Sequence, residues 1–212
     1  MIITRQKDFE DILCKIGNGP VFLIGCSECA TICHTGGEEE IKEMKKKLEK
    51  KNIKVSGWVI LDPACHYLND KRLLKKYENE TREATKILVL ACGNGVQTVS
   101  EIIDSADVIS GTDTLFLGEI KRLDDFEKRC SLCGDCIQDL FDGLCPIARC
   151  PKEMLNGPCG GSIDGKCEVS NDLDCVWDII YSRLKKKGQL NKLKEIIKPK
   201  YWSKSTDMRR TL

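Results

Sequence analysis

Val21-Phe22-Leu23-Ile24-Gly25-Cys26-Ser27-Glu28-Cys29-Ala30-Thr31-Ile32-Cys33 decides how the first half of the chain is read. Its first four residues are apolar without alternation, and Asn18-Gly19-Pro20 and Gly25 bound them. An unbroken apolar run of this length predicts a strand buried on both faces, as in a parallel sheet. The cysteines then lie beyond its carboxyl end, where open parallel sheets hold their ligands.

Outward from that strand the pattern alternates. Residues 9–16 form an amphipathic helix, with Cys14 read as a core residue on its apolar face. Residues 38–51 form a second helix, with Ile41, Met44 and Leu48 on one side and Glu43 and Lys47 paired on the other. Strand 55–61 ends at Pro63. A helix over 68–81 follows, then strand 87–91, and a helix from Gly93-Asn94-Gly95 to Ser105. Leu115-Phe116-Leu117 reads as a fourth strand. This alternation predicts an α/β fold: a small, mostly parallel sheet with flanking helices over residues 1–118.

Composition changes after Gly118. The second domain, residues 119–212, is rich in cysteine, glycine and proline and has little apolar periodicity until its end. It reads as a cysteine-rich, ferredoxin-like metal-binding module whose core bound metal would supply. C-terminal helices follow: Val176, Ile179, Ile180 and Leu184 line one, Gly188 breaks it, and Leu190, Leu193, Ile196 and Ile197 line a second.

Bulk charge selects no partner: 34 Lys and Arg face 33 Asp and Glu, a net charge of +1. Nucleic acid is excluded as a target of the whole protein, since phosphate neutralisation needs concentrated base. No apolar run approaches the ~18 residues of a membrane span, so no membrane insertion is expected. The polar start resembles no export signal, and a cytoplasmic location is expected. The 14 cysteines then point to metal, because thiols in a reducing compartment are ligands or catalysts far more often than disulfides.

Cys130-Ser131-Leu132-Cys133-Gly134-Asp135-Cys136 carries the sharpest signal. Three thiols at successive two-residue gaps match the ligand run of bacterial ferredoxins, whose next cysteine precedes proline. Cys145-Pro146 and Cys150-Pro151 are two such pairs. Cys159, Cys167 and Cys175 bring the set to eight, the ligand count of two 4Fe–4S clusters; two four-thiolate zinc sites are the alternative. A second constellation comprises Cys26, Cys29, Cys33, Cys65 and Cys92, set at or just after the ends of three predicted strands. Five thiols exceed the four that one centre needs. His34 and His66 follow two of them and read as ligands, as donors behind the ligands, or as solvated neighbours. Gly36-Gly37, Gly93-x-Gly95 and Gly160-Gly161 read as close-approach positions that bring backbone N–H groups to sulfur. The last thirty residues are strongly basic, a solvated face or a docking surface for an acidic partner such as a small ferredoxin.

Asn156-Gly157-Pro158-Cys159-Gly160-Gly161, with Asp164-Gly165-Lys166-Cys167 and Cys175-Val176-Trp177, resembles the MetV-type proteins, the cysteine-rich methylenetetrahydrofolate reductase C-terminal family. The Cys26–Cys33 loop with Gly36-Gly37 and Ala91-Cys92-Gly93-Asn94-Gly95-Val96-Gln97 agree. The resemblance implies a heteromeric complex of one-carbon metabolism, with a flavin-containing MetF-type subunit as partner. The reading that follows is a subunit holding two or three 4Fe–4S clusters and passing electrons to that flavin, from a ferredoxin or another donor. No residue is assigned a catalytic role. The rival is a zinc-binding assembly subunit without redox activity.

Overall fold

The computed structural model describes residues 1–122 and 125–206. It divides into two compact units, 1–116 and 117–212. The first begins with β1 (Ile2–Gln6), α1 (Phe9–Ile16), β2 (Val21–Cys26), α2 (Cys29–Ile32) and α3 (Glu38–Lys50). It continues with β3 (Val55–Leu61), α4 (Tyr67–Leu74), α5 (Glu78–Glu83), β4 (Lys86–Leu90), α6 (Gly93–Ile102) and β5 (Asp107–Ser110). β6 (Thr112–Arg122) then runs from the first unit into the second.

The apolar run is buried along its whole length. β2 is central, with β3 and β4 parallel on either side of it and β5 parallel beyond β4. Successive side chains point to opposite faces. Val21 and Leu23 meet Ile12, Ile16, Ile41, Met44 and Leu48 from α1 and α3. Phe22, Ile24 and Cys26 meet Leu61, Leu74 and Val99 on the side of α4 and α6. That two-sided burial is why the run shows no alternation.

Three sequence expectations are corrected. The fourth parallel strand is β5, whereas Leu115-Phe116-Leu117 lies in β6 of a separate sheet ordered β1-β6-β7. The polar-looking N-terminus is a strand of that sheet, with Ile3 and Thr4 buried. Cys14 is exposed rather than core, because α1 buries Ile12 and Ile16, and a residue midway between an i,i+4 pair faces the opposite side.

In the second unit β7 (Asp125–Cys130) pairs antiparallel with β6. A short 3₁₀ turn (Gln138–Phe141), α7 (Pro146–Arg149), the small hairpin of β8 (Lys166–Cys167) and β9 (Ser170–Asp174), α8 (Val176–Lys186), a 3₁₀ turn (Leu190–Lys194) and α9 (Ser203–Thr206) follow. This unit has an apolar core of its own: Phe141, Leu144, Val176, Trp177, Ile180 and Leu184 are buried together. Metal is therefore not its only source of packing. α8 ends as read, with Gly188 at φ +69°, a backbone conformation that glycine adopts without strain. The second amphipathic helix does not form. Ile196 is 86% exposed, and only the 3₁₀ turn covers that stretch.

Candidate metal centres

Register places the strand-end cysteines together. Cys26 pairs with Leu61 of β3, and Gly25 pairs with Leu90 of β4, so three neighbouring strands end level. Cys65 follows β3 by one short loop, and Cys92 caps the amino end of α6. Cys29 opens α2 and accepts a hydrogen bond from the Ile2 N–H at 3.4 Å. Cys26 is buried; burial pushes its thiol up, while backbone hydrogen bonds at Ala64, Glu28 and Ala30 oppose the rise. Cys65 is pushed up first by burial, then by the neighbouring thiolates of Cys92, Cys26 and Cys29. Cys33 is absent from that set of neighbours. It is 8% exposed and points to the Ile2 carbonyl at 3.8 Å.

The two histidines have other work. His66 caps α4, its Nδ1 accepting from the Asn69 N–H at 3.3 Å, and His34 Nδ1 lies 3.9 Å from Glu40 Oε1. Gly36 and Gly25 are close-approach positions for backbone. A Cβ at Gly36 would collide with the Leu90 carbonyl, and one at Gly25 with the Gly36 carbonyl. Gly93 N–H donates to Thr114 Oγ1 at 2.8 Å. The donors on Cys26 come from residues that are not glycine.

Sequence reading missed Asp70, which is fully buried in the first turn of α4. It accepts from the His66 N–H at 3.2 Å, its other oxygen has no partner, and burial pushes its carboxyl up. It fastens the Cys65–His66 loop to the helix. The signal was an acid in the first turn of a predicted helix, directly after a cysteine loop.

In the second unit one small cavity is lined by Cys150, Cys159, Cys167 and Cys175, with Arg149, Lys152, Glu168 and Trp177. Cys175 caps α8 and Cys159 Sγ lies 3.2 Å from Glu168 Oε1, which also pairs with Lys152. Sulfur at those positions helps raise the Lys152 ammonium, after Glu168 itself. The remaining four thiols are Cys130, Cys133, Cys136 and Cys145. Cys130 closes β7, α7 packs on β7, and Cys145 caps α7, lining a cavity of about 370 Å³ with Arg129 and Arg149. Cys130 Sγ accepts from the Leu132 N–H at 3.3 Å.

Five buried side-chain polar atoms lack a hydrogen-bond partner among the described residues: Asp70 Oδ1, Arg129 Nε, Ser131 Oγ, Arg149 Nε and Lys200 Nζ. The last four belong to the cysteine-rich unit, and three of them flank Cys130 or Cys150 in the chain. All four are donors. Among the described residues no group of three or more His, Cys, Asp or Glu side chains is arranged to hold a metal ion. All fourteen cysteines are free. No described helix is long and apolar enough to cross a membrane.

No curated protein and no solved structure matches the chain. Residues 109–203, which hold the triple-cysteine run, both Cys-Pro pairs and the Gly-Pro-Cys-Gly-Gly segment, match the family described as "Methylene-tetrahydrofolate reductase C terminal".

Proposed function

We propose that the chain is an electron-transfer subunit of MetV type that carries three 4Fe–4S clusters and serves a flavin-containing methylenetetrahydrofolate reductase partner. One observation supports this reading: eight of the fourteen cysteines fall into two groups of four neighbours, and four more stand at ferredoxin-like spacing in the sequence. Cys26, Cys29, Cys65 and Cys92 share the sheet edge; Cys150, Cys159, Cys167 and Cys175 share a cavity; Cys130, Cys133, Cys136 and Cys145 form the ferredoxin-like set. The two left over, Cys14 and Cys33, lie apart on an exposed helix face and against the Ile2 backbone.

The donor set fits iron–sulfur better than zinc. Orphaned buried donors beside the cysteines call for acceptors, since each costs roughly 1–3 kcal/mol unpaired. A cubane adds four sulfides to its four thiolates, whereas zinc adds no acceptor. When bound, such clusters supply one-electron transfer, matched to a flavin that accepts electrons singly and returns a hydride equivalent. The chain's own residues would orient and insulate them. The amino ends of α6 and α8 present Cys92 and Cys175, and the backbone at Ala64, Glu28 and Ala30 holds the Cys26 sulfur.

Anaerobic metal and sulfide analysis tests the reading. About twelve iron atoms per chain are expected, four for each cubane. Cys92→Ser should lose about four of them and slow flavin reduction in the reconstituted complex, while Cys33→Ser keeps all twelve. Stoichiometric zinc without iron would sink electron transfer and leave the assembly role.

A further inference from the structure

Lys200 is a buried cation without an adequate partner. Its side chain is only 4% exposed, and its Nζ makes no hydrogen bond. It pairs with Asp135 Oδ2 at 3.6 Å, beyond hydrogen-bonding range, while Asp135 Oδ1 accepts from Lys204 Nζ at 2.8 Å. The Asp135 side chain is itself 40% exposed, so water screens it. A buried ammonium is costly unless a close anion offsets its desolvation, and a half-share in one solvated carboxylate does not.

The surroundings say where the missing anion belongs. Asp135 lies between Cys133 and Cys136. A Cβ at Gly134, in the same turn, would meet the Lys204 backbone at 3.0 Å. The C-terminal segment therefore lies directly on the Cys133–Cys136 turn. Two further buried donors, Ser131 Oγ and Arg129 Nε on either side of Cys130 in the chain, also lack acceptors among the described residues.

We propose that Lys200 is a positioning residue for the sulfur centre of Cys130, Cys133, Cys136 and Cys145, its buried ammonium donating to that anionic centre while residues 200–204 close it off from water. This rests on the iron–sulfur reading. A cation held against the centre stabilises its reduced, more negative form, so it raises that centre's reduction potential above the value the thiolates alone would give.

The test uses full-length, anaerobically loaded protein, titrated with dithionite and followed by electron paramagnetic resonance. Lys200→Met keeps the apolar stem and removes the charge. Iron content should stay at the wild-type level while one cluster's midpoint becomes more negative, and Lys200→Arg should restore it. Loaded Lys200→Met with unchanged midpoints overturns the inference and leaves the electron-transfer reading intact. Wild-type protein without iron sinks both. If Lys200→Met loses its iron or does not fold, hydrogen exchange on the wild type decides. Residues 198–205 should be at least tenfold better protected in loaded than in metal-depleted protein, and equal protection overturns the proposal.

Discussion

At Gly36 a single hydrogen atom separates a working sheet edge from a clash. The loop from Cys26 returns over the ends of β2 and β4, Gly36 lies against the Leu90 carbonyl, and its own carbonyl accepts from the Cys26 N–H at 2.9 Å. Backbone meets backbone there, so no rotamer change can relieve an added methyl. Gly36→Ala should destabilise the first unit by about 3 kcal/mol or more, among the large single-site effects. Chemical denaturation followed by the Trp58 fluorescence reads this, and an unchanged midpoint would show that the loop can move aside. The glycine was legible as a close-approach position. What it approaches was not, because Leu90 lies 54 residues further along and meets it only through the parallel pairing of β2 with β4.

Among the elements, β1 is held in part by charge. Lys7, just beyond its end, pairs with Asp113 of β6, and Arg5 lies 3.8 Å from the same carboxylate. The Lys7 hydrogen bond, with Lys7 and Arg5 as nearby cations, holds the Asp113 carboxyl below the ordinary range. A depressed folded pKa contributes stability above the unfolded value, and that contribution is lost as pH falls through the folded one. Wild type should therefore exceed Asp113→Asn in stability at neutral pH, by a small, salt-screened margin. The gap should close on acidification below about pH 4, the unperturbed Asp range. Denaturant midpoints of the two proteins between pH 7 and pH 2 measure it, and a gap independent of pH would assign the effect to packing. β1 escaped sequence reading because Thr4, Arg5 and Gln6 dilute its apolar pair. Thr4 is nevertheless buried, its hydroxyl bonded to that of Thr35 at 2.7 Å.

On the scale of the molecule, the two units draw stability from different sources. The first packs both faces of its sheet with aliphatic side chains and needs no metal for its core. The second has one smaller apolar cluster around Trp177, against which Cys150 and Cys175 pack. Chelation should accordingly strip hydrogen-exchange protection from 130–137 and 150–175 first, leave α8 partly protected, and barely change β2 and β4. Mass spectrometry resolved by peptide gives the comparison, and equal loss across both units would refute the division of labour.

The sequence by itself determined the central strand, the parallel α/β character of the first unit and the helices read over 9–16 and 38–51, and it singled out the thiols as candidate ligands. Those features are local: burial on two faces removes alternation, one apolar stripe marks a surface helix, and ligand runs have fixed spacing. The tertiary structure alone decided which thiols keep company. Cys26, Cys65 and Cys92 are separated by dozens of residues and become neighbours only because β3 and β4 flank β2 with level ends. Cys33 is one helical turn from Cys29, and both meet the backbone of Ile2, contributed by a strand the sequence concealed. Lys200 reads as one more solvated lysine in a basic tail until the fold carries it onto the Cys133–Cys136 turn and buries it. Spacing along the chain reports what one element can do; only packing between elements sets which charges lose their water.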